Sequence, residues 1–168
     1  SPTKQTAIKS TGDKNGFELN PTYAFANDGL FAMDVDSGTT TAIACGNTGK
    51  DRHKMYTYNL PVTTGAAIRG IEVRMDAKAD STVGAPKLCV SLSWDNGTTW
   101  TAWKSTSALT IDEATYILGS SSDTWGRVWT STELTGVNNF QVRVADVASD
   151  TSRDFSLDWV AVNITYNP

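Results

Sequence analysis

Hydrophobic and polar residues alternate most regularly between residues 67 and 79. Ile71, Val73 and Met75 occupy every second position, and the charged residues Glu72 and Arg74 lie between them. A period of two places successive side chains on opposite faces of a β-strand. The segment therefore predicts a long strand with an apolar face toward a core and a charged face toward solvent.

A second alternation ends at a turn. Apolar residues from Leu88 to Trp94 alternate with small polar ones, and the chain then passes through Asn96 and Gly97. Asn-Gly favours the positive φ angles that a tight hairpin turn needs at its centre. The pattern predicts an antiparallel hairpin in which Trp100 returns opposite Trp94.

Most of the remaining chain consists of similar short segments separated by Gly, Pro, Asn and Asp. Strands are predicted at residues 30–35, 39–45, 55–60, 67–79, 87–94, 99–104, 115–118, 140–146 and 155–166. Helical periodicity is not sustained anywhere, although Thr110 and Glu113 have the spacing of a capping box and predict one helical turn over residues 107–114. About nine strands at this spacing predict an all-β fold, an antiparallel two-sheet β-sandwich of jelly-roll type.

The last predicted strand changes phase along its length. Phe155, Leu157 and Trp159 share one face, whereas Val160 and Val162 fall on the other. Either a β-bulge near Trp159 or a central strand covered on both faces produces such a pattern.

Composition limits the classes of function. A chain of 168 residues with a net charge of −4 is the length of one domain and lacks the basic excess that phosphate backbones or anionic membranes attract. No apolar run approaches the length needed to span a bilayer. We therefore expect one folded domain that neither binds nucleic acid nor crosses a membrane.

The two cysteines and the composition bear on location. Charged residues make up 19% of the chain, and the abundance of Thr, Ser, Gly and Asn is typical of secreted β-proteins. The chain begins at Ser1, as it would after removal of a signal peptide or of an initiator Met. We expect an extracellular or cell-surface location, in which Cys45 and Cys89 form either one inter-strand disulfide or two buried thiols.

Residues 1–20 differ from the rest of the chain because they are poor in apolar residues and rich in turn formers. They are predicted to be an N-terminal extension, followed by the β-sandwich domain over residues 21–168. A short strand within the extension either pairs with its own sheet or is added to the sheet edge of a neighbouring copy. The residues expected to form this assembly contact are Thr6, Ala7, Ile8, Lys9 and Ser10.

Catalytic chemistry is not indicated by any set of residues. His53 is the only histidine, lies in a charged segment and is expected to be a solvated loop residue. No nucleophile has the sequence context of a catalytic triad, and no pair of carboxylates stands out. We expect a protein that is not an enzyme and requires no cofactor.

A calcium site is the metal chemistry that the sequence indicates. Asp34 and Asp36 place two carboxylates on one short turn that ends at Gly38, and Ca²⁺ prefers such oxygen ligands. Asp28 and Asp158 are candidates for the remaining ligands if the fold brings them near. An ordinary Asp/Gly turn explains the same residues without a metal.

Six tryptophans are many for this length. Trp94 and Trp159 follow the pattern of core positions. The other four lie in segments flanked by loops, where an aromatic face can stack on a sugar ring or pack over the end of the sandwich. The candidate glycan-binding residues are Trp100, Trp103, Trp125 and Trp129.

Four segments carry a resemblance to a known type of module. They read AIRGIEVR at 67–74, LSWDNGTTWT at 92–101, DTWGR at 123–127 and SRDFSLDWV at 152–160. They resemble a β-sandwich module that recurs, often in tandem, in large secreted or surface proteins of bacteria, and the likeness extends over residues 15–166. In shape this module is similar to jelly-roll carbohydrate-binding modules, and it has no established activity.

Two functions compete on these observations. The first is a non-catalytic extracellular structural protein, a subunit of a self-assembling surface filament or coat whose partners are copies of itself joined by β-strand addition. The alternative is a carbohydrate-binding adhesion module that uses exposed tryptophans to bind glycans.

Overall fold

Two antiparallel sheets of five strands each pack face to face in the computed structural model. The structure describes residues 2–6, 9–12, 16–58, 60–136 and 139–168, the first two ranges as backbone only. Sheet A has the strand order β1 (Pro2–Thr6), β10 (Phe155–Asn167), β5 (Ala67–Ala79) and β8 (Ala114–Gly119), and β3 (Ala32–Asp34) also pairs with β10. Sheet B has the order β2 (Lys9–Gly12), β4 (Arg52–Tyr56), β9 (Gln141–Val147), β6 (Lys87–Ser93) and β7 (Lys104–Ser105). The prediction of an all-β, two-sheet sandwich is confirmed.

The core lies between the inner faces of the two sheets. In sheet A, β5 contributes Ile71, Val73 and Met75, all fully buried, as the alternation predicts. In sheet B the inward positions include Val90 of β6 and Val144 of β9, which are equally buried. Burial of apolar surface at about 25 cal/mol per Å² is the main stabilising term for such a core.

A β-bulge explains the phase change in β10. The pairing of β10 with β5 is regular up to Leu157, shifts by one residue before Trp159, keeps the new register to Thr165 and shifts again before Tyr166. Leu157 and Val160 therefore both face the core, although they are three residues apart. Trp159 lies on the other face and is partly exposed.

Three local predictions were wrong, for different reasons. Residues 99–104, predicted as a strand, contain only a bridge between Trp100 and Ser93 and the first residue of β7. Residues 39–45 form bends and turns instead of a strand, because Thr39 and Thr40 close a loop whose contacts are with residues 47–50. Residues 107–114 contain no helix, and the helical turn is α1 (Ser131–Thr135). There Thr130 and Glu133 make both hydrogen bonds of a capping box. No helix in the described residues is long and apolar enough to cross a membrane.

The N-terminal segment pairs within its own chain. β1 lies antiparallel to β10, with Thr6 opposite Ala161, and β2 lies antiparallel to β4, with Lys9 opposite Tyr56. Ala7 and Ile8 lie outside the described residues. Donation of this segment to a neighbouring copy stays a prediction, and it would require the pairing with both sheets to be exchanged between copies.

His53 is a core residue rather than the expected solvated loop residue. It lies in β4 on the inward face, is fully buried and stacks on Phe17 with a distance of 5.2 Å between ring centres. Its Nε2 lies 3.3 Å from the carbonyl oxygen of Pro21. These contacts give His53 a packing role and remove it from any solvent-facing chemistry.

The two cysteines are joined, which settles the alternative between a disulfide and buried thiols. Cys45 lies in the β3–β4 connection, residues 35–51, and Cys89 lies on the outward face of β6. The bond closes a loop with a sequence separation of 44 residues. It holds the connection against the outer face of sheet B, where Cys89, Ala145 and Val147 form a small second apolar cluster.

Removing the disulfide is expected to destabilise the protein substantially. In the chain-entropy model a loop of this length stabilises the folded state by about 4 kcal/mol. The double variant Cys45→Ala, Cys89→Ala should therefore lose about 2–4 kcal/mol of unfolding free energy, measured by urea denaturation. Reduced wild-type protein is the control and should lose a similar amount. A double variant as stable as the oxidised wild type would contradict the expectation.

Candidate functional site

Three aspartates meet at an edge of the sandwich where the two sheets approach each other. Asp34 ends β3 of sheet A, Asp51 immediately precedes β4, and Asp146 lies near the end of β9. Strands β4 and β9 are neighbours, and the N–H of Asp146 donates to the carbonyl of Asp51 at 3.3 Å. The cluster therefore joins the two sheets through side chains that are far apart in sequence.

The carboxylates are close together and mostly buried. One oxygen from each of Asp34, Asp51 and Asp146 lies within 4.8 Å of the others. Asp34 is 1% exposed and Asp146 is 0% exposed. Oδ2 of Asp34 and both side-chain oxygens of Asp146 have no hydrogen-bond partner in the described part of the chain. Buried polar atoms are normally satisfied, so these oxygens either share a proton with one another or bind a cation.

The geometry of the cluster is compatible with a divalent cation. Oxygens that ligate one Ca²⁺ at 2.3–2.6 Å lie no more than about 5 Å apart, as they do here. Asp51 is fixed by a hydrogen bond from the Gly38 N–H to its Oδ2 at 2.9 Å. A cleft lined by Glu18, Asp36 and Asp51, among others, opens onto the cluster from solvent. The cleft provides an entry path for an ion.

Burial and the closeness of the three carboxyl groups raise the pKa values of the aspartates. Burial, followed by interaction with Asp146, raises the pKa of Asp34 far above its ordinary value. Burial likewise raises the pKa of Asp146 to about 7 and raises that of Asp51. Lys50 is 2% exposed, and burial lowers its pKa while the three carboxylates partly oppose that change. Its Nζ donates to the carbonyls of Thr40 and Ala148.

The metal prediction from sequence found one of these residues. Asp34 is in the cluster, whereas Asp36 lines the adjacent cleft, and its N–H donates to Oδ1 of Asp154. Asp158 is occupied elsewhere, because its carboxylate accepts the N–H groups of Asp28 and Gly29. Asp51 and Asp146 were missed.

A signal for Asp146 was present in the sequence. It continues the inward phase of Val142 and Val144, so a charged residue falls at a position where the alternation expects an apolar one. A charge in the inward phase of a strand is costly to bury unless it is paired or binds a metal. Asp51 carries no comparable signal, because it lies in a loop among other charged residues.

The four candidate tryptophans divide into two pairs. Trp125 and Trp129 are buried, 5% and 4% exposed, so for these two the structure agrees with the alternative of packing and not with a surface role. Their indole N–H groups donate to the carbonyls of Ile71 and Thr124. Trp100 and Trp103 are partly exposed and follow β6 on the outer side of sheet B.

A cationic cluster surrounds the exposed pair. Cζ of Arg143 lies 4.1 Å from the centre of the Trp100 ring and 4.3 Å from that of Trp103. Arg52 lies 5.8 Å from the Trp103 ring, and Lys54 lies 5.8 Å from the Trp100 ring. We call Trp100, Trp103, Arg143, Arg52 and Lys54 the aromatic–cationic face. Such contacts fix the orientation of rings that would otherwise rotate freely at the surface.

The predicted turn at Asn96 and Gly97 is present and precedes Trp100, but the predicted pairing of Trp100 with Trp94 is not formed. Asn96 and Gly97 both have positive φ, as the turn requires, with values of 60° and 82°. Trp100 pairs with Ser93 in a single bridge instead of lying opposite Trp94. Its indole N–H donates back to the carbonyl of Gly97 at 3.1 Å, which ties the ring to the turn.

No protein-family model matches the chain, and no curated protein matches it in sequence. Among solved structures it is similar to TmCBM61, a carbohydrate-binding module in complex with β-1,4-galactotriose, at 11% identity and a TM-score of 0.44 over 92% of this chain and 86% of that one. It is also similar to the C-terminal CBM6 of LamC from Zobellia galactanivorans, at 9% identity and a TM-score of 0.45 over 98% and 99%.

A third similar structure is the K3 adhesin domain of Lys-gingipain from Porphyromonas gingivalis, at 11% identity and a TM-score of 0.45 over 97% of this chain and 98% of that one. Two of these three structures are carbohydrate-binding modules. With identities of 9–11% and TM-scores below 0.5, the likeness carries no functional argument, and any function has to be argued from the residues of this chain.

The acidic cluster makes the stability of the metal-free protein depend on pH. In the unfolded chain Asp146 titrates near 3.8, whereas in the folded protein it titrates near 7. Between these values the folded state holds a proton that the unfolded state has released. Its stabilising effect is present below about pH 4 and is lost as the pH rises through about 7, by up to about 1.4 kcal/mol per pH unit.

This dependence is measurable by urea denaturation in chelator at pH values from 5 to 8. Asp146→Asn should make the loss of stability between pH 5 and 8 less steep, because an amide does not titrate. The raised pKa values of Asp34 and Asp51 leave part of the dependence in place. Asp112→Asn is the matched control, since Asp112 is exposed and is not a member of the cluster. An Asp146→Asn profile as steep as that of the wild type would contradict the assignment.

Proposed function

We propose that the protein is a non-catalytic carbohydrate-binding module of an extracellular protein. The observation that carries the proposal is the pair of partly exposed tryptophans, Trp100 and Trp103, held on the outer face of sheet B by Arg143. The face of a pyranose ring presents C–H groups that pack favourably on an aromatic surface. Two fixed rings offer stacking positions for sugars of one chain.

Preorganisation supports a binding role over a purely structural one. Trp100 is tied by its hydrogen bond to Gly97, and Trp103 packs on the apolar cluster that contains Cys45 and Cys89. Rings that are already ordered lose little conformational entropy when a ligand binds. The disulfide that orders Trp103 is also typical of proteins that function outside the cell.

A structural Ca²⁺ is part of the same proposal. Asp34, Asp51 and Asp146, with the nearby ammonium of Lys50, have a formal charge of −2 when ionised, which one divalent cation neutralises. Three carboxylates supply three to six oxygens, and waters entering through the cleft complete a coordination number of six to eight. The ion would hold the β3–β4 connection to the edge of the sandwich.

The glycan-binding role is tested by replacing the exposed tryptophans singly. For the polysaccharide that retards the wild-type protein most, Trp100→Ala and Trp103→Ala should each weaken binding about tenfold or more, because each removes a stacking surface. The measurement is affinity electrophoresis on a panel of soluble neutral and anionic polysaccharides. Ile117→Ala is the control, since Ile117 is 56% exposed on the opposite sheet. Retention unchanged in both tryptophan variants would refute the proposal.

Calcium binding is tested by thermal unfolding with and without the ion. Ca²⁺ at 100 times its Kd adds about 2.7 kcal/mol of stability. We expect a higher Tm in Ca²⁺ than in chelator, with a larger difference at pH 8 than at pH 5.5, where protons compete for the ligands. Asp146→Asn should abolish the shift, and Asp112→Asn should retain it. A wild-type Tm that is the same in millimolar Ca²⁺ and in chelator would exclude the site.

A further inference from the structure

Charge is distributed unevenly between the two faces of sheet B. In its three longest strands, β4, β6 and β9, every second residue lies in the main core, as Met55, Val90 and Val144 do. The residues between them face outward, and several of these are also buried. The outward positions hold four cations and no carboxylate. They are Arg52, Lys54, Tyr56, Lys87, Cys89, Ser91, Ser93, Gln141, Arg143, Ala145 and Val147.

This arrangement is unusual for the chain as a whole. The protein has 18 acidic residues against 14 basic ones, yet its acids are absent from this set of positions. The two aspartates that flank the strands in sequence are engaged elsewhere. Asp51 belongs to the acidic cluster, and Oδ1 of Asp95 accepts the Ser93 hydroxyl and the Thr99 N–H. A positive patch on an otherwise acidic protein attracts a ligand of opposite charge.

The cations lie beside the tryptophans, where the substituents of a stacked sugar would be. Arg52 donates through one terminal nitrogen, Nη2, to the carbonyls of Gly46 and Asn47. Its other terminal nitrogen, Nη1, takes no part in these two hydrogen bonds and is a candidate donor to a ligand. A guanidinium binds a carboxylate or a sulfate through paired N–H groups, and an ammonium binds either as a compact charge.

We propose that the ligand of the aromatic–cationic face is an anionic polysaccharide, one whose sugars carry carboxylate or sulfate groups. This inference rests on the proposed carbohydrate-binding function and adds its specificity. Trp100 and Trp103 stack on the sugar rings, Arg52 and Lys54 bind the acidic groups, and Arg143 holds the two aromatic rings in place.

The test compares polysaccharides that share a backbone and differ only in charge. Polygalacturonate is paired with its fully methyl-esterified form, and a sulfated galactan with the unsulfated galactan, each titrated in 50 mM NaCl. We expect at least tenfold tighter binding to one of the charged forms than to its neutral partner. We also expect at least a tenfold loss of that binding in 500 mM NaCl, because salt screens the ionic contacts.

Variants locate the contact. Arg52→Gln and Lys54→Gln together should reduce binding to the charged form at least tenfold and leave any weak binding to the neutral form unchanged. Arg69→Gln is the control, matched to Arg52→Gln alone, because it removes one positive charge from an exposed position on sheet A. Binding to polygalacturonate would show that the face recognises carboxylates, and binding to the sulfated galactan would show that it recognises sulfates.

The possible outcomes distinguish a failure of the anionic specificity from a failure of the proposed carbohydrate-binding function. Equal affinity for the charged and neutral forms, lost in Trp100→Ala, would overturn the anionic specificity and leave carbohydrate binding intact. Charge-dependent binding that Arg69→Gln weakens as much as the double variant would also overturn it, because the charge would then act non-specifically. Failure to bind any of the four polysaccharides would count against both proposals.

Discussion

The Cys45–Cys89 disulfide fixes the β3–β4 connection on the outer face of sheet B, and both candidate sites depend on that position. On one side of the bond, Gly46 approaches the indole of Trp103 and accepts a hydrogen bond from Arg52. Further along the chain in the same direction, the connection ends at Asp51, a member of the acidic cluster. A connection without this cross-link would have to order both sites by weak surface contacts alone.

Hydrogen bonds within the connection extend the effect of the cross-link toward the acidic cluster. The N–H of Thr39 donates to the carbonyl of Gly49 at 2.7 Å, and the buried Nζ of Lys50 donates to the carbonyls of Thr40 and Ala148. Lys50 thereby ties the loop to the residue that follows β9, the strand that carries Asp146. A cation bound by the cluster would add a further anchor at the same end of the loop.

The period-two alternation in the sequence correctly predicted which residues of the long strands face the core. The limits of β5 agree with the predicted residues 67–79, and the phase change in β10 proved to be a bulge between Leu157 and Trp159. Contacts between the sheets were beyond such reasoning. Asp34 and Asp146 are more than a hundred residues apart, and only the packing of β3 near β9 brings them together.

The sequence also did not reveal which of the four candidate tryptophans are buried. Trp100, Trp103, Trp125 and Trp129 lie in similar loop-flanked segments, yet two are buried and two are partly exposed. Trp125, one of the buried pair, donates its indole N–H to the carbonyl of Ile71 in β5. Trp100, by contrast, donates to Gly97 in its own turn. A partner distant in sequence depends on the tertiary structure. The exposed pair are positioned by cations and a disulfide, which a linear pattern does not reveal.

Asp51 and Arg52 are adjacent in sequence but belong to different sites, so the register of β4 positions both sites together. Successive residues of an extended chain point to opposite sides, so Asp51 joins the buried carboxylates while Arg52 points to the aromatic–cationic face. A shift of β4 by one residue against β9 would place Arg52 and Lys54 in the core and His53 and Met55 outside. The apolar residues of β4 and the disulfide-held connection before it both oppose that shift. The register that buries the core is therefore also the one that separates the acidic cluster from the cationic surface.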